Sequence, residues 1–356
     1  MIKIAAIVSL FSFLWATPVA LAHPDPLENI KIYTYILETS PENAYAYVNR
    51  GICYRMVFDY AKSVADFDHA EQLGMKTPYL WMNRAMAYIS LREYDKAMTD
   101  LNILIGMEPD NPSNLFYRGE LFYRLKDFVN AIADYSKALD LRKAAHLYYV
   151  RGDAYNEIGE YEKALADYTQ AAEIRPYAIA FLLAQGRLLG KMGRFDEARA
   201  VMDKATRKQP ERYAIYIERA VISASQTLDA SYEADLKTAL KYLDDEIFFR
   251  PQDPSVYADQ ARVHEMMGEQ EKALESFAKA IEYAGLEGHK DLRQRAAFHS
   301  RHGRQSEADA DLRQADEMEA QPVPTATPLP GPTLSLDQLQ AEPTPNLLQG
   351  LTPGSQ

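Results

Sequence analysis

Apolar residues recur along most of this chain at the three- and four-residue intervals of amphipathic helices, in stretches separated by a Gly or a short polar run. Comparing the chain with itself at fixed offsets accounts for that regularity. Small residues Gly51, Ala85, Gly119, Gly152, Gly186 and Ala220 lie 34, 34, 33, 34 and 34 positions apart. An aromatic residue or Leu stands four positions before each, an aromatic or apolar residue usually three after, and an Ala usually twelve after. In the fourth unit these are Tyr148, Gly152, Tyr155 and Ala164, with Gly159 and Tyr161 between and Tyr168, Ala171 and Pro176 beyond. Each period therefore predicts two amphipathic helices joined by a tight turn. Ala97, Ala131, Ala164 and Ala198 are expected to face the small residue of the first helix, where bulk would push the hairpin apart. Pro109, Pro176 and Pro210 are expected to end the second helix of their units.

Two weaker units follow, one centred on Ala261 with Tyr257, Gly268, Ala273, Phe277 and Ala280, the other on Ala296 with Leu292, Gly303, Ala308, Leu312 and Ala315. From Ala220 to Ala261 the spacing is 41, which is 34 plus 7, and seven residues are almost two helical turns. The insertion is expected at the start of the sixth unit's second helix, around 227–233, with Asp229 as its N-cap, giving a long helix near 229–249. Upstream, residues 23–43 predict a lone capping helix, from Leu27 to Thr39, that turns Tyr33 and Ile36 inward.

A charge pattern runs through the repeats. Arg50, Arg84, Arg118, Arg151 and Arg295 precede the small residue, and sixteen positions later stand Asp66, Asp100, Asp134, Asp167 and Asp311. Where the Arg becomes Gln185 or Gln260, the Asp becomes Val201 or Ser276. This predicts five structural Arg–Asp pairs bridging the two helices of a unit, with Arg219 left as an orphan.

These periods resemble the tetratricopeptide repeat, whose pattern of aromatic, Leu-Gly, Tyr, Ala, Phe, Ala and Pro falls at the same relative places over residues 44–320, as about eight units. Arg or Gln replaces the Leu before the small residue in all of them. The resemblance implies an all-α fold, a right-handed superhelical solenoid of tandem two-helix units. It also implies that the first helices line a concave surface, where ligands meet residues three before, one after and four after the small position. In this chain the surface residues so implied include Val48, Ile52, Met82, Met86 and Ile89, then Phe116, Glu120 and Tyr123, then Tyr149, Asp153 and Asn156, and further on Arg187, Arg262 and Arg293. The first stretch is apolar and aromatic, and positive charge rises toward the last units. The Lys and Asn clamp that some relatives use on a terminal carboxylate is missing, because Val48 and Ile52, or Met82 and Met86, hold its first places.

The two ends change the picture. Residues 1–22 carry Lys3, an apolar run and an Ala-x-Ala ending at Ala22, the pattern of a cleaved secretory signal. They predict an exported protein, periplasmic or secreted, with no stable membrane insertion after cleavage. Residues 321–356 hold eight prolines in 36 positions and predict a disordered Pro/Thr-rich tail. The net charge of −12 argues against nucleic acid as a ligand, since phosphate binding needs clustered Lys and Arg.

No catalytic constellation emerges: the chain has no Gly-x-Ser-x-Gly elbow, phosphate loop or dinucleotide fingerprint. Cys53, the sole cysteine, reads as a packed thiol. His299 and His302 share a helix face, but no third ligand completes a site, so they read as surface histidines and neither metal nor cofactor is expected. The expected function is a non-enzymatic extracytoplasmic scaffold or adaptor that holds a protein or peptide on its concave face. A holdase-type chaperone or assembly factor for exported proteins stays open as an alternative, and an accessory cell-envelope enzyme subunit as a third; the oligomeric state is left open.

Overall fold

The computed structural model describes residues 25–225 and 230–320, and these form seventeen α-helices and no strand. The capping helix α1 (Pro26–Thr39) is followed by eight hairpins: α2 (Ala44–Met56) and α3 (Tyr60–Gln72), α4 (Pro78–Ser90) and α5 (Tyr94–Met107), α6 (Pro112–Arg124) and α7 (Phe128–Leu141), α8 (Ala145–Glu157) and α9 (Tyr161–Ile174). Then come α10 (Ile179–Lys191) and α11 (Phe195–Lys208), α12 (Tyr213–Ala224) and α13 (Ala230–Phe249), α14 (Pro254–Met266) and α15 (Gln270–Ala284), and, after a short 3₁₀ turn, α16 (His289–Arg301) and α17 (Gln305–Ala320). Residues 1–22, the Asp229 cap and the 321–356 tail lie outside the described residues. No described helix is long and apolar enough to cross a membrane.

Local chemistry sets the helix ends. Asp25, Asn43, Asp59, Thr77, Asn111, Asp127 and Asp253 each accept a backbone N–H of the turn that follows them, satisfying an otherwise orphaned donor. Pro26, Pro78, Pro112 and Pro254 sit in the first turn, where their missing N–H costs nothing. In every hairpin turn among the described residues a positive φ falls seven residues after the small position. Gly159, Gly193, Gly268 and Gly303 supply it without strain, whereas Phe58, Arg92 and Lys126 adopt it as ordinary L-residues.

Hairpins close because the small residue admits the side chain sixteen positions on. A Cβ at Gly119 would stand 2.5 Å from the Tyr135 ring, and one at Gly152 would stand 2.8 Å from Tyr168. Carbonyl oxygens of the residues twelve positions on lie close too, as Ser63 O does to Gly51 and Ala164 O to Gly152. Each unit then stacks its first helix on the second helix of the unit before, and first helices of neighbouring units touch as well, α2 with α4 and α10 with α12. The core is a chain of local clusters handed from unit to unit, starting with Tyr33 and Leu37 of α1 against Ala46 and Cys53. Ile36 packs at the edge of that first cluster.

Two features depart from the sequence reading. The long helix α13 begins ten residues after Ala220, close to the nine seen elsewhere, so its extra turns lie at its end and not at its start. The reason is register: Asp235, sixteen residues after Arg219, must stay opposite it, and an insertion ahead of Asp235 would carry it off. Arg219 is accordingly no orphan. Its Nε and Nη2 donate to Asp235 at 2.7 and 2.5 Å. The added turns carry Phe248 and Phe249 out into solvent.

The array also returns on itself. Glu319, in the last helix, accepts from Arg92 Nη2 in the α4–α5 turn at 3.1 Å and from Arg293 Nη2 at 2.7 Å. The eighth unit thus meets the second across the turn of the superhelix.

Candidate binding face

The residue before the small position points between the second helices. Arg50, Arg84, Arg118, Arg151, Arg219 and Arg295 each donate from Nε and Nη2 to the two carboxylate oxygens of Asp66, Asp100, Asp134, Asp167, Asp235 and Asp311, at 2.5–2.9 Å. Parallel double bonds of this kind are the strongest that an Arg and a carboxylate form. The aspartates are buried, and at Arg50, Arg84 and Arg151 aromatic rings from positions four before and three after the small residue flank the guanidinium, as Trp81 and Tyr88 do at Arg84, 4.8 and 5.8 Å from its carbon.

The third guanidinium nitrogen reaches further. Nη1 of Arg50, Arg84, Arg118, Arg151 and Arg219 donates to Thr34, Asp68, Asn102, Ser136 and Asp203, all on the second helix of the preceding unit or, for Thr34, on α1. Each Arg therefore joins two units as well as two helices. Where Arg is replaced, a hydrogen bond without a cation takes the same path: Gln185 donates to Thr169, while Gln260 donates to Asp244 and accepts from Ser276.

The residue after the small position points to the other side, along the stacked first helices. In chain order this row reads Ile52, Met86, Glu120, Asp153, Arg187, Val221, Arg262 and Ala297. Ile52, Met82, Met86 and Ile89 are half-buried, and Ile52, Met82 and Ile89 edge the cluster formed by the first two units. Val48 is placed differently from the sequence reading: at 4% exposure it belongs to that cluster's interior, against the second unit, and has no surface left for a ligand.

In the third and fourth units the row becomes a tyrosine–carboxylate patch. Tyr135 Oη donates to Glu120 at 2.5 Å and Tyr168 Oη donates to Asp153 at 2.6 Å. Phe116 lies 6.3 Å from the Tyr135 ring, and Tyr149 lies 5.8 Å from Tyr168 and 5.3 Å from Phe181. Burial pushes the Asp153 carboxyl above its ordinary range, and Glu120 as a nearby like charge adds to this. Hydrogen bonds from Tyr168 and Tyr149 and the Arg187 charge pull it back in part. Tyr123, beside both carboxylates, is raised to about 12 by burial and by Asp153, Glu157 and Glu120. Asn156 accepts from Lys191 at 3.0 Å.

Beyond Arg187 three arginines meet carboxylates, within or between units. Arg262 faces Glu218 at 3.4 Å, Arg301 makes a double bond to Glu265, and Arg293 is held by Asp316 and Glu319. The rise in positive charge expected from sequence is therefore neutralised at Arg262 and Arg293, because carboxylates from adjoining helices meet them. Arg187 has no carboxylate in ion-pair range among the described residues; its Nε donates to Leu183 O.

Outside this face the chemistry is structural. Cys53 is buried and its thiol is raised by that burial. His299 is buried rather than superficial, since the last hairpin closes over it, with Nε2 3.8 Å from Asp311; His302 stacks on Phe298. Among the described residues no group of three or more His, Cys, Asp or Glu converges as metal ligands.

Two tetratricopeptide-repeat family models match the chain, over residues 82–145 and 155–216. No curated protein matches it. Among solved structures, yeast Tom70 is similar to 83% of this chain over 59% of its own, with a TM-score of 0.57 and 13% identity, a likeness of fold. A tetratricopeptide repeat protein from Parabacteroides merdae covers 68% of this chain and 93% of its own, with a TM-score of 0.48 and 19% identity. MamA from Desulfovibrio magneticus RS-1 covers 48% and 94%, with a TM-score of 0.41 and 18% identity.

Proposed function

Because the chain is a tetratricopeptide-repeat protein, we propose that it works without catalysis of its own, as an extracytoplasmic scaffold that holds a protein or peptide along its inner face. The observation that carries this reading is the difference between the two rows flanking the small positions. One is consumed by ion pairs within the fold, and the other offers half-buried Met, aromatic and charged side chains with spare contact capacity. Export rests on the Lys3-led apolar N-terminus and its Ala-x-Ala ending.

The experiment that tests binding is Met86→Glu combined with Phe116→Glu. Both side chains are half-buried at the inner face, so helicity should persist while a stoichiometric, saturable partner recovered with the wild-type protein is lost. Retention of the partner by the double variant rejects the inner face as the site. Indiscriminate retention of many unfolded chains by the wild type would instead favour a holdase, which the same Met and aromatic surface could serve. Export is tested by sequencing the N-terminus of the protein from its native host: a mature chain that starts at Met1 refutes it.

A further inference from the structure

We propose that the partner's key contact is a basic side chain, Lys or Arg, on an extended segment, seated between Glu120 and Asp153 at the inner face of the third and fourth units. The proposal rests on the inner-face reading above and names the chemistry it selects.

The distribution of charge across the whole molecule leads there. Six buried aspartates of the repeat each have an Arg at bidentate distance, and in the last three units Arg262, Arg301 and Arg293 each meet a carboxylate, with Asp259, which takes a hydrogen bond from Tyr213, beside Arg262 and its partner Glu218. Glu120 and Asp153 break that rule. Both are half-buried, yet among the described residues neither has a Lys or Arg in ion-pair range, and the donors they have are tyrosine hydroxyls. Tyrosine orients a carboxylate without neutralising it, so the charge removed from water is offset only in part, at Asp153 by Arg187 beyond ion-pair range.

The arrangement is built rather than incidental. A carboxylate just after the small position and a tyrosine sixteen after that position occur together twice, as Glu120 with Tyr135 and Asp153 with Tyr168. In the other units the second place is apolar: Phe67, Leu101, Met202, Leu236, Phe277 and Leu312. Each tyrosine lies against a Gly that leaves room for its ring, so the hydroxyl is aimed through the hairpin at the inner face.

The surroundings fit a cationic side chain. Phe116, Tyr123 and Tyr149 supply ring faces for its aliphatic stem and its charge. Arg187 on one side repels a second cation, and Ile52 and Met86 on the other offer only apolar contact, so the charge match is confined to one place on the segment. Two carboxylates with no third ligand among the described residues make a poor metal site, and an organic cation is the occupant the charges call for.

The test uses random peptides of about twelve residues, displayed on phage and selected on the full chain and on the Glu120→Gln, Asp153→Asn variant. Peptides from the wild type should share Lys or Arg at one position, and that preference should vanish on the variant while helicity is kept. For one selected peptide, replacing the shared basic residue by Gln should weaken binding to the wild type about tenfold or more. That second measurement needs no protein variant. Selected peptides without a common basic position, or an equal preference on the variant, overturn the proposal and leave the inner-face reading standing. Failure of the wild type to select any peptide overturns both.

Discussion

Arg151 and Asp153 are separated by one glycine, yet their charges meet opposite fates. Arg151 turns to the second helices, where Asp167 and Ser136 consume its donors and tie the fourth unit to the third. Asp153 turns to the first helices and receives only hydroxyl donors. The same contrast holds at Arg118 and Glu120 one unit earlier. Positions two residues apart on a helix lie some 200° apart around its axis, so each unit devotes one side of Gly152 or its counterpart to cohesion and the other to contact. The lesson is that the ion pairs of this repeat serve its cohesion, while the carboxylates on the other side of the small position are not used up by it.

Each of the three positions can be perturbed separately. The largest effect is expected on the cohesive side. Asp100→Ala leaves Arg84 buried beside Trp81 with its main partner gone, and should destabilise the protein by about 3 kcal/mol in denaturant unfolding. Adding Arg84→Met should recover much of that loss; a single variant no worse than an exposed surface change would end the pairing idea. At the small position itself, Gly152→Ala should lower stability by about 1–3 kcal/mol despite its better helix propensity, because the new methyl meets Tyr168. If Tyr168→Leu in the same chain does not relieve the loss, the steric explanation is wrong.

The smallest effect is expected on the contact side and with the opposite sign. Asp153→Asn keeps an acceptor for Tyr168 and removes a partly desolvated charge, so it should stabilise the free protein at neutral pH by roughly 0.5 kcal/mol, discounted for partial exposure. The folded Asp153 carboxyl is raised, so the folded state holds its proton more tightly than the unfolded state does. Its stabilising contribution is complete below the ordinary carboxylate range and is lost as pH rises through the folded value. The advantage of the Asp153→Asn variant over the wild type should therefore shrink as pH falls from about 7 toward about 4, which thermal melts at several pH values would show. A constant difference would mean that the charge is not its source.

Much of this was legible in the chain. The small residues, their aromatic neighbours and the Arg–Asp spacing are local, and a helix pair enforces them at fixed offsets, so the hairpins and five of the pairs could be read directly. Asp235 carried the same signal for Arg219, at the same offset, but was hidden by misplacing the insertion. The coupling of Glu120 to Tyr135 and of Asp153 to Tyr168 was likewise present at a constant offset. It passed unnoticed because a tyrosine at an apolar position reads as packing alone.

The amino-acid order by itself determined the repeat, the turns and which residue of each hairpin meets which, because those contacts span a few turns of one folded unit. Only the tertiary structure decided what units do to one another. The reach of each Arg to the unit before it, the cancelling of Arg262 by Glu218, and the return of Glu319 to Arg92 depend on the angle at which hairpins stack. A small rotation per unit, summed over the array, sets which distant side chains meet, and no spacing within one repeat encodes that sum.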